Sequence, residues 1–218
     1  TAITNDAALA LQGAVTGTLA ATASTGGITD SSNLSASGDV TLNDVATAGI
    51  TLGTLEADAN VIITAAGNTA ITNDAALALQ GAVTGTLAAT ASAGGITDGG
   101  TLTVSGATTI SASGQAVSLT NADSTFGDFS VIAKDVYIVE SGSFSSTSIA
   151  AETIQVSATE GVTINSTGDG LQLAAQSGTG NIDVVNTGGL VISELANIQG
   201  IQFTDDTASG KVSLVAKS

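Results

Sequence analysis

The sequence predicts an all-β protein, a parallel β-solenoid of the right-handed β-helix type with coils of about 20 residues. Three observations carry this prediction. Short apolar-x-apolar motifs recur along the chain, Gly-containing turns separate them, and the stretch 1–30 occurs again at 69–98. Hydrophobic residues make up 43% of the chain but aromatic residues only 2%, so the core is expected to be thin and built from Ala, Val, Ile and Leu.

The apolar motifs have the two-residue period of β-strands, which places their side chains on one face. Examples are Val40/Leu42, Val61/Ile63, Val136/Ile138, Ile182/Val184 and Val212/Leu214. From Ile154 onward a motif follows about every ten residues, so every second motif is about 20 residues away. This spacing predicts two or three short strands per coil, with Val162, Ile182 and Ile201 at equivalent positions of successive coils.

The internal duplication predicts a unit that can stack. Residues 1–24 recur without change at 69–92, and the match extends to 1–30 against 69–98 with one difference, Thr25 against Ala93. We interpret the offset between the two copies as three somewhat larger coils. The pairs expected to point inward at matching places are Ile3 and Ile71, Leu11 and Leu79, and Leu19 and Leu87. Residues 1–218 are interpreted as one continuous solenoid segment of a longer repetitive protein.

Tandem β-sandwich repeats are the alternative fold, because sandwiches also join short strands by turns every 8–12 residues or so. Sandwich strands rarely repeat their own sequence within one domain, and sandwich cores usually contain a large aromatic residue. The solenoid is therefore preferred.

Composition argues against several functions. The formal net charge is −16, and the only cations are Lys134, Lys211 and Lys217, so neither nucleic acid nor an anionic membrane is an expected partner. No apolar run approaches the roughly 20 residues that span a bilayer, so membrane insertion is not expected. The chain has no His and no Cys, which removes the usual nucleophilic triads and the usual ligands of zinc, copper and haem. We expect no enzymatic activity and no cofactor other than calcium.

Calcium is the one ligand that this composition could serve, because hard cations bind carboxylate and carbonyl oxygens. The candidate ligands are Asn121, Asp123 and Asp128 in one group and Asp205 and Asp206 in another. Asn5 with Asp6, and their duplicates Asn73 with Asp74, are further candidates. None of these groups matches an EF-hand loop, and the competing interpretation is that they are solvated acids in turns.

Several phrases resemble a known group of proteins. Residues 37–44 (SGDVTLND), 161–176 (GVTINSTGDGLQLAAQ), 180–193 (GNIDVVNTGGLVIS) and 210–217 (GKVSLVAK) resemble the repeats of filamentous-haemagglutinin-type exoproteins and other giant repetitive bacterial adhesins. The resemblance implies a secreted right-handed parallel β-helix that attaches bacteria to hosts, surfaces or each other. It transfers no functional residue to this chain.

These observations lead to two hypotheses about function. The first is a structural, non-catalytic segment of a bacterial extracellular adhesin or surface filament, which mediates attachment or matrix building. Its partners would be other copies or flanking repeats joined end to end, and cell or matrix surfaces. The second is a surface-coat protein of the S-layer type that binds calcium.

Overall fold

The computed structural model describes residues 1–205 and 210–217, and all the regular secondary structure within them is β-strand. The strands are β1 (Ala2–Asn5), β2 (Leu9–Val15), β3 (Leu19–Ala23), β4 (Ile28–Ala36), β5 (Val40–Asp44), β6 (Ile50–Ala57), β7 (Asn60–Ala65), β8 (Thr69–Asn73), β9 (Leu77–Val83), β10 (Leu87–Ala91), β11 (Ile96–Val104), β12 (Thr108–Leu119), β13 (Phe129–Glu140), β14 (Phe144–Ala150), β15 (Thr153–Ala158), β16 (Val162–Thr167), β17 (Leu171–Ser177), β18 (Ile182–Thr187), β19 (Leu190–Ile192), β20 (Glu194–Leu195), β21 (Ile198–Gln199), β22 (Ile201–Phe203) and β23 (Val212–Lys217).

The strands form two stacks in which every neighbouring pair is parallel. The first stack contains β1, β3, β5, β7, β9 and β11, the second halves of β12 and β13, then β15 and β17, with β19 and β22 side by side in its last layer. The second stack contains β2, β4, β6, β8 and β10, the first halves of β12 and β13, then β14, β16, β18 and β23. The chain alternates between the stacks, which is the path of a β-solenoid. Parallel pairing confirms the predicted fold class and is incompatible with tandem β-sandwiches.

One coil contains one layer of each stack, and the coils differ in length. The sequence separation of two paired residues in one stack gives the length of the coil between them. In the second stack Thr69 pairs with Leu87 and Ile28 pairs with Ile50, so the coil from Thr69 to Leu87 is shorter than the coil from Ile28 to Ile50. The chain makes about 10 turns of about 19 residues. At ~4.8 Å per layer this is a rod on the order of 50 Å long.

The core is a continuous ladder of apolar side chains that runs along the rod. Leu19, Val40 and Val61 stack in successive layers of the first stack, and each is at most 1% exposed. The predicted inward pairs Val61/Ile63, Val136/Ile138 and Ile182/Val184 are all buried in the same cluster. Each large aliphatic side chain in this ladder contributes roughly 1.5–3 kcal/mol through burial. The core is therefore stabilised by many small aliphatic side chains, since the composition provides few aromatic residues.

The last coils depart from the regular spacing. The sequence placed Val162, Ile182 and Ile201 at equivalent positions, but Ile201 pairs with Ala175 in the first stack, and Val212 lies next to Ile182. The reason is an insertion between β19 and β22. The strands β20 and β21 form a small antiparallel hairpin there, and Ile198 in this hairpin is 3% exposed.

The duplicated sequences lie in different stacks, which corrects the prediction of three coils. The duplication relates β1 to β8, β2 to β9, β3 to β10 and β4 to β11, so it spans seven strands, or three and a half coils. The strands β1 and β3 belong to the first stack, but their duplicates β8 and β10 belong to the second. Leu11, Leu79, Leu19, Leu87 and Ile71 are buried as expected, whereas Ile3 in the first layer is only half-buried.

Candidate functional site

Two aspartates hold one coil to the next at β-bulges. Asp30, where β4 bulges, accepts hydrogen bonds on Oδ1 from the N–H of Gly53 (2.9 Å) and on Oδ2 from the N–H (2.6 Å) and hydroxyl (2.9 Å) of Thr54. Its duplicate Asp98 accepts a hydrogen bond from the N–H of Asn121 (2.6 Å). Burial acts to raise the pKa of Asp30, but the hydrogen bonds from Gly53 and Thr54 outweigh it and hold the pKa below the usual value. Both carboxylates therefore have a structural role within the rod.

Buried polar side chains close the turns from inside the coil. The side chain of Asn73 is fully buried at the end of β8. Its Oδ1 accepts the N–H of Ala57 (2.8 Å), and its Nδ2 donates to the carbonyls of Ala57 (3.2 Å) and Ala76 (2.8 Å). Asn186 does the same at the end of β18, where Nδ2 donates to the carbonyls of Gly168 and Gly189. These asparagines satisfy backbone groups that the turn leaves unpaired, so Asn73 has a structural role at this turn.

The candidate calcium ligands near Asn121 take part in hydrogen bonds of the loop between β12 and β13. The side-chain oxygen of Asn121 accepts the N–H of Asp123 (3.0 Å), and the backbone carbonyl of Asp128 accepts the N–H of Thr108 (2.9 Å). Asp123 and Asp128 are both exposed residues. This arrangement accounts for Asn121 as a turn residue.

The remaining candidates are dispersed. Asp205 follows β22 and is half-buried, whereas Asp206 lies outside the described residues. Asp6 and its duplicate Asp74 are exposed in turns, and the Nδ2 of Asn5 donates to the carbonyl of Ala8 (2.9 Å). Within residues 1–205 and 210–217, no three Asp, Glu, His or Cys side chains come together in a way that could hold a metal ion. A calcium site therefore remains a prediction.

Glu140 is a buried carboxyl that the sequence analysis missed. It ends β13, is 3% exposed, and accepts the N–H of Phe126 on Oε1 (3.0 Å), while Oε2 has no hydrogen-bond partner. Burial raises the pKa of Glu140 to about 7, although the hydrogen bond from Phe126 acts to lower it. The signal was present in the sequence, because Glu140 continues the inward alternation of Val136 and Ile138.

An aromatic cluster lies in the same part of the rod as Glu140. The ring of Phe129 is 5.5 Å from that of Phe126 and 5.6 Å from that of Phe144, measured between centroids. These three residues are buried and fill the core where the loop between β12 and β13 replaces a regular strand. The edge-on contact between Phe126 and Phe129 adds about 0.5–1.5 kcal/mol to the burial of the rings.

The C-terminal end of the rod exposes residues that belong to the core ladder. Val212 and Leu214 pair with Ile182 and Val184, which are fully buried, yet Val212 is 45% exposed and Leu214 is 44% exposed. Ile192, in the last layer of the first stack, is 42% exposed. Within the described residues no further layer lies on these side chains.

The comparisons with known proteins identify a repeat family. Residues 1–66 and residues 66–133 each match the family described as repeats of unknown function (DUF5649). The two matches together cover residues 1–133, more than half of the chain, and the chain therefore belongs to this family. No curated protein and no solved structure gave a significant match. The described residues contain no helix with the length and apolar character needed to cross a membrane.

Proposed function

We propose that this chain is a structural, non-catalytic segment of a bacterial extracellular adhesin or surface filament, and that it mediates attachment or matrix building. The observation that supports the proposal most is the single apolar ladder that runs through about 10 stacked coils without interruption. Such a rod supplies reach and stiffness, and it repeats the same small polar surface along its length. Many weak contacts along a repeated surface give strong overall attachment through multivalency.

The outward side chains are consistent with this role. In the second stack Thr51, Ala70, Ala88 and Thr109 face outward in successive layers, and these positions carry no charge. Acidic residues lie both in turns and within strands, and the formal net charge of −16 favours solubility. Partners of this surface would be other copies, flanking repeats, and cell or matrix surfaces.

The test of the proposal is deletion of the gene in its native organism. We expect loss of a surface fibre in electron micrographs and weaker cell–cell and cell–surface attachment, both restored by the intact gene. Attachment and fibres that persist after deletion would contradict the proposal. A reproducible turnover of polysaccharide, ester or peptide substrates by the purified chain would contradict its non-catalytic part.

An S-layer-type coat protein that binds calcium is the second candidate, and the formal net charge of −16 favours it. A coat would form a two-dimensional lattice that dissolves when calcium is removed, whereas the solenoid filament does not need the ion. Electron microscopy of the cell surface with and without chelator distinguishes the two. Isothermal titration of calcium into the purified chain, with Asp123→Asn and Asp128→Asn as variants, tests the candidate ligands directly.

A further inference from the structure

The loop of residues 120–128, between β12 and β13, completes one layer of the rod in place of a strand. An isolated parallel bridge joins Thr125 in this loop to Thr103 in β11. The N–H of Thr125 donates to the carbonyl of Leu102 (3.1 Å), and the carbonyl of Thr125 accepts the N–H of Val104 (2.8 Å). On the side of β11 the loop is therefore held by backbone hydrogen bonds, as a regular strand would be.

On the side of β13 a carboxyl group replaces part of this pairing. The carbonyl of Ser124 accepts the N–H of Ser141 (2.9 Å), but the N–H of Phe126 donates to Oε1 of Glu140 (3.0 Å). In a parallel ladder the acceptor at such a place is a backbone carbonyl of the next strand. We call this contact of residues 124–126 with Glu140 and Ser141 the loop seam. One of its hydrogen bonds depends on the state of a side chain that is 3% exposed.

Among the described residues, nothing neutralises a charge on this carboxyl group. Its Oε2 has no hydrogen-bond partner, and the residue paired with Glu140 in the next layer is Ala158. Lys134, the cation on the same strand, is exposed, and β12, β14 and β15 carry no charged residue. The other charged residues of the neighbouring segments are acidic and at least partly exposed: Asp98 in β11, Asp123 and Asp128 in the loop, Asp135 in β13 and Glu160 after β15. An ionised Glu140 is therefore a buried charge without a counter-ion, which is costly.

The loop seam also borders the aromatic cluster. Phe126 is 8% exposed, and its ring lies 5.5 Å from that of the fully buried Phe129. Because the N–H of Phe126 bonds to Glu140, separation of the loop from β13 moves the ring of Phe126 away from Phe129. Opening of the seam would thus let water reach the aromatic part of the core.

We propose that the loop seam is a pH-sensitive contact, which is closed while Glu140 is protonated and opens locally when Glu140 ionises. The inference is independent of the proposed function and adds a conformational response to the described rod. Burial raises the pKa of Glu140 to about 7 in the closed seam, against 4.5 for a glutamate in water. The open form therefore loses its proton at lower pH, so a rise in pH favours opening.

The difference between the two pKa values also sets the size of the response. The equilibrium constant for opening should increase about 300-fold between pH values of about 4.5 and about 7, and then level off. Below this range both forms are protonated, and above it both are ionised, so the constant no longer changes with pH.

Hydrogen exchange of single amides, measured by NMR on the unsubstituted chain across this pH range, tests the seam. Each rate is divided by the rate of an unprotected amide at the same pH, so that the ratio reports opening. We expect the ratios for the N–H groups of Phe126 and Ser141 to rise together by about 300-fold. The N–H of Ala57, which bonds to Oδ1 of Asn73 outside the seam, should have a smaller ratio at every pH. A constant ratio for Phe126 would overturn the inference.

Low concentrations of denaturant distinguish a local opening from unfolding of the rod. A local opening exposes little surface, so the ratio for Phe126 should be insensitive to denaturant. A ratio that rises steeply with denaturant, and equals that of Ala57, would mean that the whole rod unfolds and would refute a local seam.

Two variants assign the response to Glu140. Glu140→Gln keeps an acceptor for the N–H of Phe126 but cannot ionise, so its ratio for Phe126 should not change with pH. Glu160→Gln, at an exposed position after β15, is the matched control and should respond as the unsubstituted chain does. A response that persists in Glu140→Gln, or that disappears in Glu160→Gln, would overturn the assignment. The unsubstituted chain decides the question if Glu140→Gln does not fold.

Discussion

Ile3 and Ile71 hold the same position in a repeated sequence, yet Ile3 lies in the first strand stack and Ile71 in the second. The sequence shared by residues 1–24 and 69–92 therefore forms both walls of the solenoid. This is possible because inward and outward side chains alternate in the same way in both stacks. A shift of half a coil leaves each inward residue facing the common core.

The half-coil shift follows from the length of the repeat in this chain. The first matched unit, residues 1–66, contains the seven strands β1–β7, or three and a half coils. A second unit in tandem then starts in the opposite stack, about 17 Å further along the rod. In tandem units of this length, equivalent outward residues of successive units lie on opposite sides of the rod. Equivalent residues return to the same side after two units.

Substitution of Leu79 tests how strongly neighbouring layers are coupled. Leu79 is fully buried between Val61 and the layer that contains Asp98, so Leu79→Ala should lower the free energy of unfolding by about 2–5 kcal/mol. Hydrogen exchange should accelerate first in β7 and β11, because repeat arrays couple to nearest neighbours. Leu11→Ala is the control with identical local sequence, and its cost should be smaller because Leu11 has a neighbouring layer on one side only. Unchanged exchange in β7 and β11 would contradict nearest-neighbour coupling.

Glu140 predicts a pH dependence of stability. Its pKa is about 7 in the folded rod and near 4.5 in the unfolded chain, so the unfolded state loses its proton first as the pH rises. The stability of the folded rod should therefore fall between pH values of about 4.5 and about 7 and then level off, by an amount on the order of 3 kcal/mol.

The measurement is denaturant unfolding of the unsubstituted chain and of Glu140→Gln across this pH range. Glu140→Gln removes the titrating group and keeps an acceptor for the N–H of Phe126, so its profile should be flatter. Glu152→Gln, at an exposed position, is the control for the general effect of lowering the net charge. Parallel profiles for the unsubstituted chain and Glu140→Gln would refute the prediction.

Thr108 occupies an inward position between Leu87 and Phe129, where its hydroxyl is buried without a partner. Thr108→Val replaces the hydroxyl by a methyl group of similar size and should raise the free energy of unfolding by about 1 kcal/mol. Thr109→Val, at the exposed position next to it, should change stability little. A loss of stability in Thr108→Val, measured by denaturant unfolding, would mean that the hydroxyl does have a partner.

The sequence predicted the strands and the core because their signal is local. The alternation in Val40/Leu42 or Ile182/Val184 sets which side chains point inward, whatever lies in the next coil. The offset between 1–30 and 69–98 alone does not predict whether the two copies lie in the same stack or in different stacks. Three coils of about 22 residues and three and a half coils of about 19 residues fit that offset equally well. The choice depends on how many residues each turn takes, which differs from coil to coil in the second stack.

The sequence did not predict the β20–β21 hairpin or the exposure of Val212 and Leu214, for a different reason. The β20–β21 turn places Ala196, a residue other than glycine, at a positive φ of 47°, so no Asn-Gly or Gly-x signal marks it. Val212 and Leu214 show the inward pattern and are exposed only because the next layer is absent from the described chain. Among the candidate site residues, Asn121 was assigned as a candidate ligand from its neighbours in sequence. Its hydrogen bonds from Asp123 and to Asp98 arise from the loop and the neighbouring coil.

Asn73 and Asn5 provide the sharpest comparison that the chain offers. Both follow the same residues, but the side chain of Asn73 makes three hydrogen bonds in a fully buried position and the side chain of Asn5 makes one in an exposed position. Asn73→Ala leaves the N–H and carbonyl of Ala57 without side-chain partners, so it should cost about 2–6 kcal/mol, at roughly 1–3 kcal/mol for each unsatisfied group. Asn5→Ala should cost well under about 1 kcal/mol in the isolated chain.

Denaturant unfolding of Asn5→Ala and Asn73→Ala in dilute solution measures the two costs. Equal stability losses for the two variants would refute the assignment of their different environments.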